Sequence, residues 1–154
     1  MRRNQNLRHG TTTVEMAMVS PILFFFVLAI IEFGHAQMAI NVLNSACRNG
    51  ARMGSVEGTT TSQVVARVDQ TLSSAFETAS ASILVKDASV FDSSGSPPSS
   101  GAEVEALPNL EVGDAEPLQL FAVRASVPYN KIALVPMPFM EGVVLDGQMF
   151  MRHE

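Results

Sequence analysis

The sequence predicts an α+β protein in which one long N-terminal helix carries a small domain made of a second, amphipathic helix and a small antiparallel sheet. Three observations predict it. Residues 16–31 form an uncharged apolar run, and apolar residues continue at helical spacing through Ala36, Ile40, Leu43 and Cys47 towards Met53. Val64, Val65, Val68, Leu72, Phe76, Ala79 and Ile83 recur at helical spacing, and residues 118–129 alternate, with Phe121, Val123, Ala125 and Val127 on one face. The chain of 154 residues has room for one membrane helix and one domain of roughly 100 residues, near the lower end of what builds its own core. The expected organisation is a basic stub at 1–10, the long helix at 11–57 and the α+β domain at 58–154.

The apolar run comes first. With Val14 and Phe33 included it approaches the roughly 20 residues needed to cross about 30 Å of hydrocarbon. Glu15 and Glu32 bracket it, about 26 Å apart along a helix axis. Glu32 is expected at the outer interface, solvated. Glu15 is costlier, because a carboxylate at the centre of a bilayer is disfavoured by about 2.5 to 3.5 kcal/mol on insertion scales and calls for a partner. The stub before Thr11 holds Arg2, Arg3 and Arg8 and no acid, whereas the remainder carries 7 basic against 15 acidic residues, a net −8. By the positive-inside rule the N-terminus stays in the cytoplasm and the domain lies outside. Pro21 lacks an amide proton and is expected to loosen the helix locally.

Continued past the membrane, the helix would span about 45 residues and about 65 to 70 Å. Gly34, Ala36, Ala39, Ala46, Gly50, Ala51 and Gly54 allow close approach of another helix or a sheet. Gly54 and Gly58 are the expected stop. Arg48 and Arg52 share a face, read as solvated or salt-bridged.

Residues 59–62 supply N-cap side chains for the second helix, expected to run about 20 residues. Residues 83–91 read as a strand and 93–101, rich in serine, glycine and proline, as a loop. The strand at 118–129 follows an acidic stretch containing Glu103, Glu105, Glu111, Asp114 and Glu116. Residues 134–139 form a proline-stiffened apolar connection. Residues 143–151 read as a last strand interrupted by a turn at Asp146 and Gly147.

Chemistry is sparse. His9, His35 and His153 are too scattered for metal-ligand spacing, and no serine lies in a nucleophile-elbow glycine frame. No glycine-rich phosphate loop precedes a helix. The acidic stretch offers oxygen ligands for calcium, but its spacing fits no calcium loop and a solvated acidic face is the plainer reading. Cys47 is the single cysteine, so no internal disulfide forms, and its small-residue setting favours a packed core thiol. An enzyme is not expected, nor is any cofactor or metal. The acidic domain, without basic clusters, argues against a nucleic-acid partner.

The run from Arg8 through Gly10, Thr11, Thr12, Thr13, Val14 and Glu15 into the apolar stretch resembles the signal of type IV prepilins. In that signal a prepilin peptidase cuts after the glycine and the glutamate becomes the fifth residue. The blocks 14–17 with Pro21, 31–34 and 46–52 resemble the TadE-like family of pseudopilins, as does the ending 151–154. The resemblance implies a pilin-like layout, with a cytoplasmic leader at 1–10, cleavage between Gly10 and Thr11, and a spine helix at 11–57. It implies a single-pass protein of the bacterial inner membrane whose domain at 58–154 is extracytoplasmic. Its implied partners are the prepilin peptidase, the lipid bilayer, other pilins or pseudopilins, and inner-membrane assembly proteins of a tight-adherence type pilus. It also implies that Glu15 neutralises the ammonium cleavage creates at Thr11, on its own chain or on a neighbour, setting the axial register of subunits.

Two other readings stand beside it. Gly34, His35 and Ala36 before Gln37 resemble a signal peptidase I site, which would give a secreted protein, although Glu32 weighs against that. An unprocessed signal anchor bearing a binding domain leaves Glu15 without a partner.

Overall fold

The computed structural model describes residues 7–76, 80–96, 98 and 100–154, with the backbone alone at 7–11, 93 and 94. The first six residues, which hold Arg2 and Arg3, lie outside the described residues, as do parts of the predicted second helix and of the 93–101 loop.

The dominant element is α1, Leu7–Gly54, 48 residues long. Its two halves face different surroundings. Every apolar side chain from Val14 to Ile31 is half-buried or exposed, and none of the most apolar window is buried. From residue 32 a buried stripe begins, through Glu32, Ala36, Ala39, Leu43, Ala46, Cys47, Gly50, Ala51 and Gly54. Spacings of three and four residues put these side chains on one face of a 3.6-residue helix. Among the described residues α1 is the one helix long and apolar enough to cross a membrane. Pro21 sits inside it without ending it, and the Ser20 hydroxyl one residue earlier donates to the Met16 carbonyl at 2.7 Å.

The helix stops where its glycines place the stop. Gly54 is its last residue, and Gly58 adopts φ +81° in the turn beyond. Helix α2, Thr61–Ser73, then starts at Thr60, whose side chain accepts from the Gln63 amide while the Gln63 side chain accepts from the Thr60 amide. At 13 residues α2 is shorter than the predicted 20. Ser73 and Ser74 donate their hydroxyls back to Gln70 and Thr71 carbonyls, a local alternative to further helix.

Three antiparallel strands form one sheet in the order β1 (Ser82–Asp87), β2 (Leu120–Pro128), β3 (Val144–Arg152). Strand β1 ends earlier than the predicted 91. The Asp87 carboxylate accepts both the amide and the hydroxyl of Ser89, and this turn starts the short helix α3, Ser89–Ser94. A second short helix, α4, spans Gly101–Ala106. The architecture is the predicted pilin-like α+β layout.

Strand β3 corrects the sequence reading. It is continuous through Asp146 and Gly147, which pair with Ser126 and Ala125. Gly147 is not a turn residue. A Cβ there would lie 2.6 Å from the Asn44 nitrogen and the Leu43 carbonyl carbon, so the glycine lets the α1 backbone lie against the sheet. Gly50 and Gly54 do the same for α2 and β2, since a Cβ on Gly50 would strike Val68 and one on Gly54 would meet Val64 at 3.1 Å and Phe121 at 3.2 Å. Gly34, expected in the same close-approach set, meets nothing within 4 Å.

The core lies between the sheet and the helices α1 and α2, with Phe121, Val123, Ala125 and Val127 against Leu43, Ala46, Cys47, Val64, Val68 and Leu72. The opposite sheet face is covered too. Ala88, Val104 and Ala122 form a smaller cluster with Phe91, Leu107 and Phe150. This cover buries Arg124, whose guanidinium reaches Glu105 at 3.1 Å and Asp146 at 2.5 Å. A Cβ on Gly101 would strike the Arg124 guanidinium, so the start of α4 rests directly on it.

The α1 helix and its clasp at Glu32

The predicted site residues lie at the N-terminal end of α1. The backbone is helical and unbroken through Gly10 and Thr11. Glu15 projects from the exposed surface of the helix, and no ion pair among the described residues includes it.

Glu32 behaves differently from its expectation. It is only 3% exposed, not solvated. One carboxylate oxygen accepts the Tyr129 hydroxyl at 2.5 Å and the Leu134 amide at 3.2 Å, and the other accepts the Val135 amide at 3.0 Å. Three donors from the segment joining β2 to β3 thus converge on one side chain of α1. Tyr129 is itself 1% exposed, and burial, then the Glu32 hydrogen bond and charge, push its hydroxyl up to about 12. It therefore remains a donor at neutral pH. Phe33, next along α1, stacks on Phe139 with ring centroids 6.3 Å apart. Periodicity reveals none of the three donors, because they lie about 100 residues downstream; the one available signal is a carboxylate in phase with the buried stripe.

Cys47 is fully buried, as expected of a core thiol, and its Sγ donates to the Gly147 carbonyl at 3.2 Å. Burial above all pushes this thiol up to about 12. Arg48 and Arg52 are exposed. The acidic stretch is less purely solvated than expected, since Glu105 pairs with Arg124 and Glu111 accepts the Thr61 amide at 2.8 Å at the start of α2. No group of histidine, cysteine and carboxylates among the described residues could hold a metal. His153 is buried, and neither ring nitrogen has a hydrogen-bond partner.

Among the described residues, one apolar helix of membrane-crossing length doubles in its second half as the spine of a small α+β domain, a pilin-like layout. Residues 10–52 match the model of the TadE family, described as TadE-like protein. The matched segment begins at Gly10, contains Glu15 and Glu32, and ends near the close of α1; the resemblance noted at 151–154 lies outside it. No curated protein and no solved structure matches the chain.

Proposed function

We propose that the chain is a TadE-like pseudopilin of the bacterial inner membrane, cut by a prepilin peptidase between Gly10 and Thr11 and serving assembly of a tight-adherence type pilus. The observation that carries the reading is the family match over 10–52, which starts at the proposed cleavage glycine and includes the carboxylate five residues on. The exposed apolar half of α1 supports a single-pass anchor, and the basic residues before Thr11 favour a cytoplasmic N-terminus with the domain extracytoplasmic. Other pilins or pseudopilins and inner-membrane assembly proteins are the partners, beside the peptidase and the bilayer.

Gly10 suits the cut physically. Glycine lowers helix stability by about 1 kcal/mol relative to alanine, so the turn around it opens more readily than its neighbours. Cleavage then creates an ammonium at Thr11, one turn from Glu15. In low dielectric the carboxylate is stable only with such a counter-charge, and pairing with a neighbour's ammonium would fix the stagger between subunits. Secretion by cleavage after Ala36 is the weaker alternative. That bond lies inside the buried stripe of α1, and cutting it would remove Glu32 from Tyr129.

Replacing Gly10 with phenylalanine should block processing; normal processing of Gly10→Phe would refute the assigned site. Glu15→Gln and Glu15→Ala should leave processing intact and stop assembly. Full assembly in both variants would sink the charge-pairing role.

A further inference from the structure

We propose that the segment 132–140 is a second membrane contact, an apolar platform that rests in the outer-leaflet interface beside α1 and takes lipid acyl chains as its partner. The inference rests on the membrane anchoring of α1 proposed above. Residues 132–140 contain nine consecutive uncharged residues, Ile132, Ala133, Leu134, Val135, Pro136, Met137, Pro138, Phe139 and Met140, bracketed by Lys131 and Glu141. A connection of this composition normally folds its apolar groups inward, yet Leu134 is 62% exposed and Phe139 54% exposed, and Val135, Pro136 and Pro138 are exposed as well. Exposed apolar side chains concentrated in one short segment in this way mark a contact with something apolar.

Depth identifies what that is. The Glu32 carboxylate and the Phe33 ring hold the segment at one level of α1, through the Leu134 and Val135 amides and the Phe139 ring. From Val14 to Phe33 the helix rises about 30 Å, one hydrocarbon thickness. The platform therefore sits where the apolar surface of α1 meets the outer headgroups, joined to it at the exposed Phe33, which stacks on Phe139. Interfacial apolar faces enter the headgroup and acyl boundary by about 5–10 Å. Exposed Lys131 at the edge of the segment suits lipid phosphate. The rest of the domain points away, since the chain runs along β2 from Phe121 beside Gly54 back towards Tyr129, just past the strand and beside Glu32.

The platform also gives the buried Glu32 a purpose. By capturing two amides of the platform, the carboxylate holds the segment against α1 and satisfies backbone donors that would otherwise lie close to hydrocarbon without partners.

The chain contains no tryptophan, so one introduced indole reports alone. Full-length Phe139→Trp, Phe24→Trp and Val56→Trp are each reconstituted in phosphatidylcholine vesicles whose acyl chains carry bromine either near the headgroup or near the methyl end. Phe24→Trp tests the anchor, and Val56→Trp, at an exposed site past the far end of α1, reports the solvent. The expected result is that Phe139→Trp emission shifts to the blue and is quenched more by shallow than by deep bromine, while Val56→Trp is unaffected. Quenching of Phe24→Trp without quenching of Phe139→Trp overturns the platform and leaves the anchor standing. A blue shift of Phe139→Trp that depends on protein concentration and not on bromine also overturns it, assigning the face to a second copy. Unquenched Phe24→Trp removes the anchor itself, and this inference with it.

Discussion

Removing the Glu32 carboxylate should release the 129–143 connection from α1. The Tyr129 hydroxyl donates to a charged acceptor inside the core, a bond of the kind worth about 1.5 to 3 kcal/mol. The Leu134 and Val135 amides belong to exposed residues and can recover water when they open, so each adds at most about 1 kcal/mol. Glu32→Ala should therefore weaken the local structure by about 3 kcal/mol, which corresponds to roughly a hundredfold faster amide exchange in a peptide covering the segment. Tyr129→Phe should accelerate it by at least about tenfold, the equivalent of one lost bond of about 1.5 kcal/mol or more. The double variant should fall short of the sum, because the two changes remove one shared bond. Hydrogen exchange by mass spectrometry on the full chain in detergent reads all three, with Glu15→Ala as the unaffected control. Unchanged exchange in Glu32→Ala would refute the clasp.

Tyr129 is the single tyrosine, so its phenolate absorbance titrates alone. Its ordinary value of 10.0 is raised to about 12 in the fold, so its contribution to stability is complete below pH 10 and is lost as pH rises through about 12. A midpoint at the ordinary value in the native protein would contradict its burial against Glu32. The Cys47 thiol, pushed up to about 12 mainly by burial, should react with a maleimide far more slowly in the native than in the unfolded chain, and equal rates would contradict its packing. Glu105→Ala and Asp146→Ala should each destabilise by about 1 kcal/mol in denaturant titrations, but together by more than the sum, since Arg124 is then buried without a carboxylate. Simple additivity would show that the two pairs act independently. Leu118, with φ 66° and an exposed side chain, should gain up to about 1 kcal/mol on replacement by glycine, and a loss of stability would refute backbone strain there.

What was legible in the sequence follows from periodicity. The α1 helix, its stop at Gly54, the start of α2 and strand β2 all repeat a local pattern, and local pattern is what a helix or an alternating strand imposes. The misread elements depend on distant residues. Asp146 and Gly147 look like a turn in isolation, but α1 crosses at Gly147 and Arg124 sits across from Asp146. Local pattern carries β1 too far because Asp87 ends it by accepting a hydrogen bond from Ser89, and α2 too far because two serines bond backwards. Arg124 lies on the face that alternation makes polar, yet the start of the short helix α4 rests on its guanidinium and the side chain is buried. Glu32 looks solvated from sequence for the same reason, since its three donors belong to a connection whose path no periodicity encodes. At the N-terminal end the legible feature is a motif, Gly10 with Glu15, whose meaning depends on other molecules.

The most direct test of the account is the intact mass and N-terminal sequence of the protein purified from its native membrane. A mature chain starting at Thr11, with Glu15 as its fifth residue, is the predicted result. A chain still starting at Met1, or one starting at Gln37, would contradict processing by a prepilin peptidase and with it the pseudopilin reading.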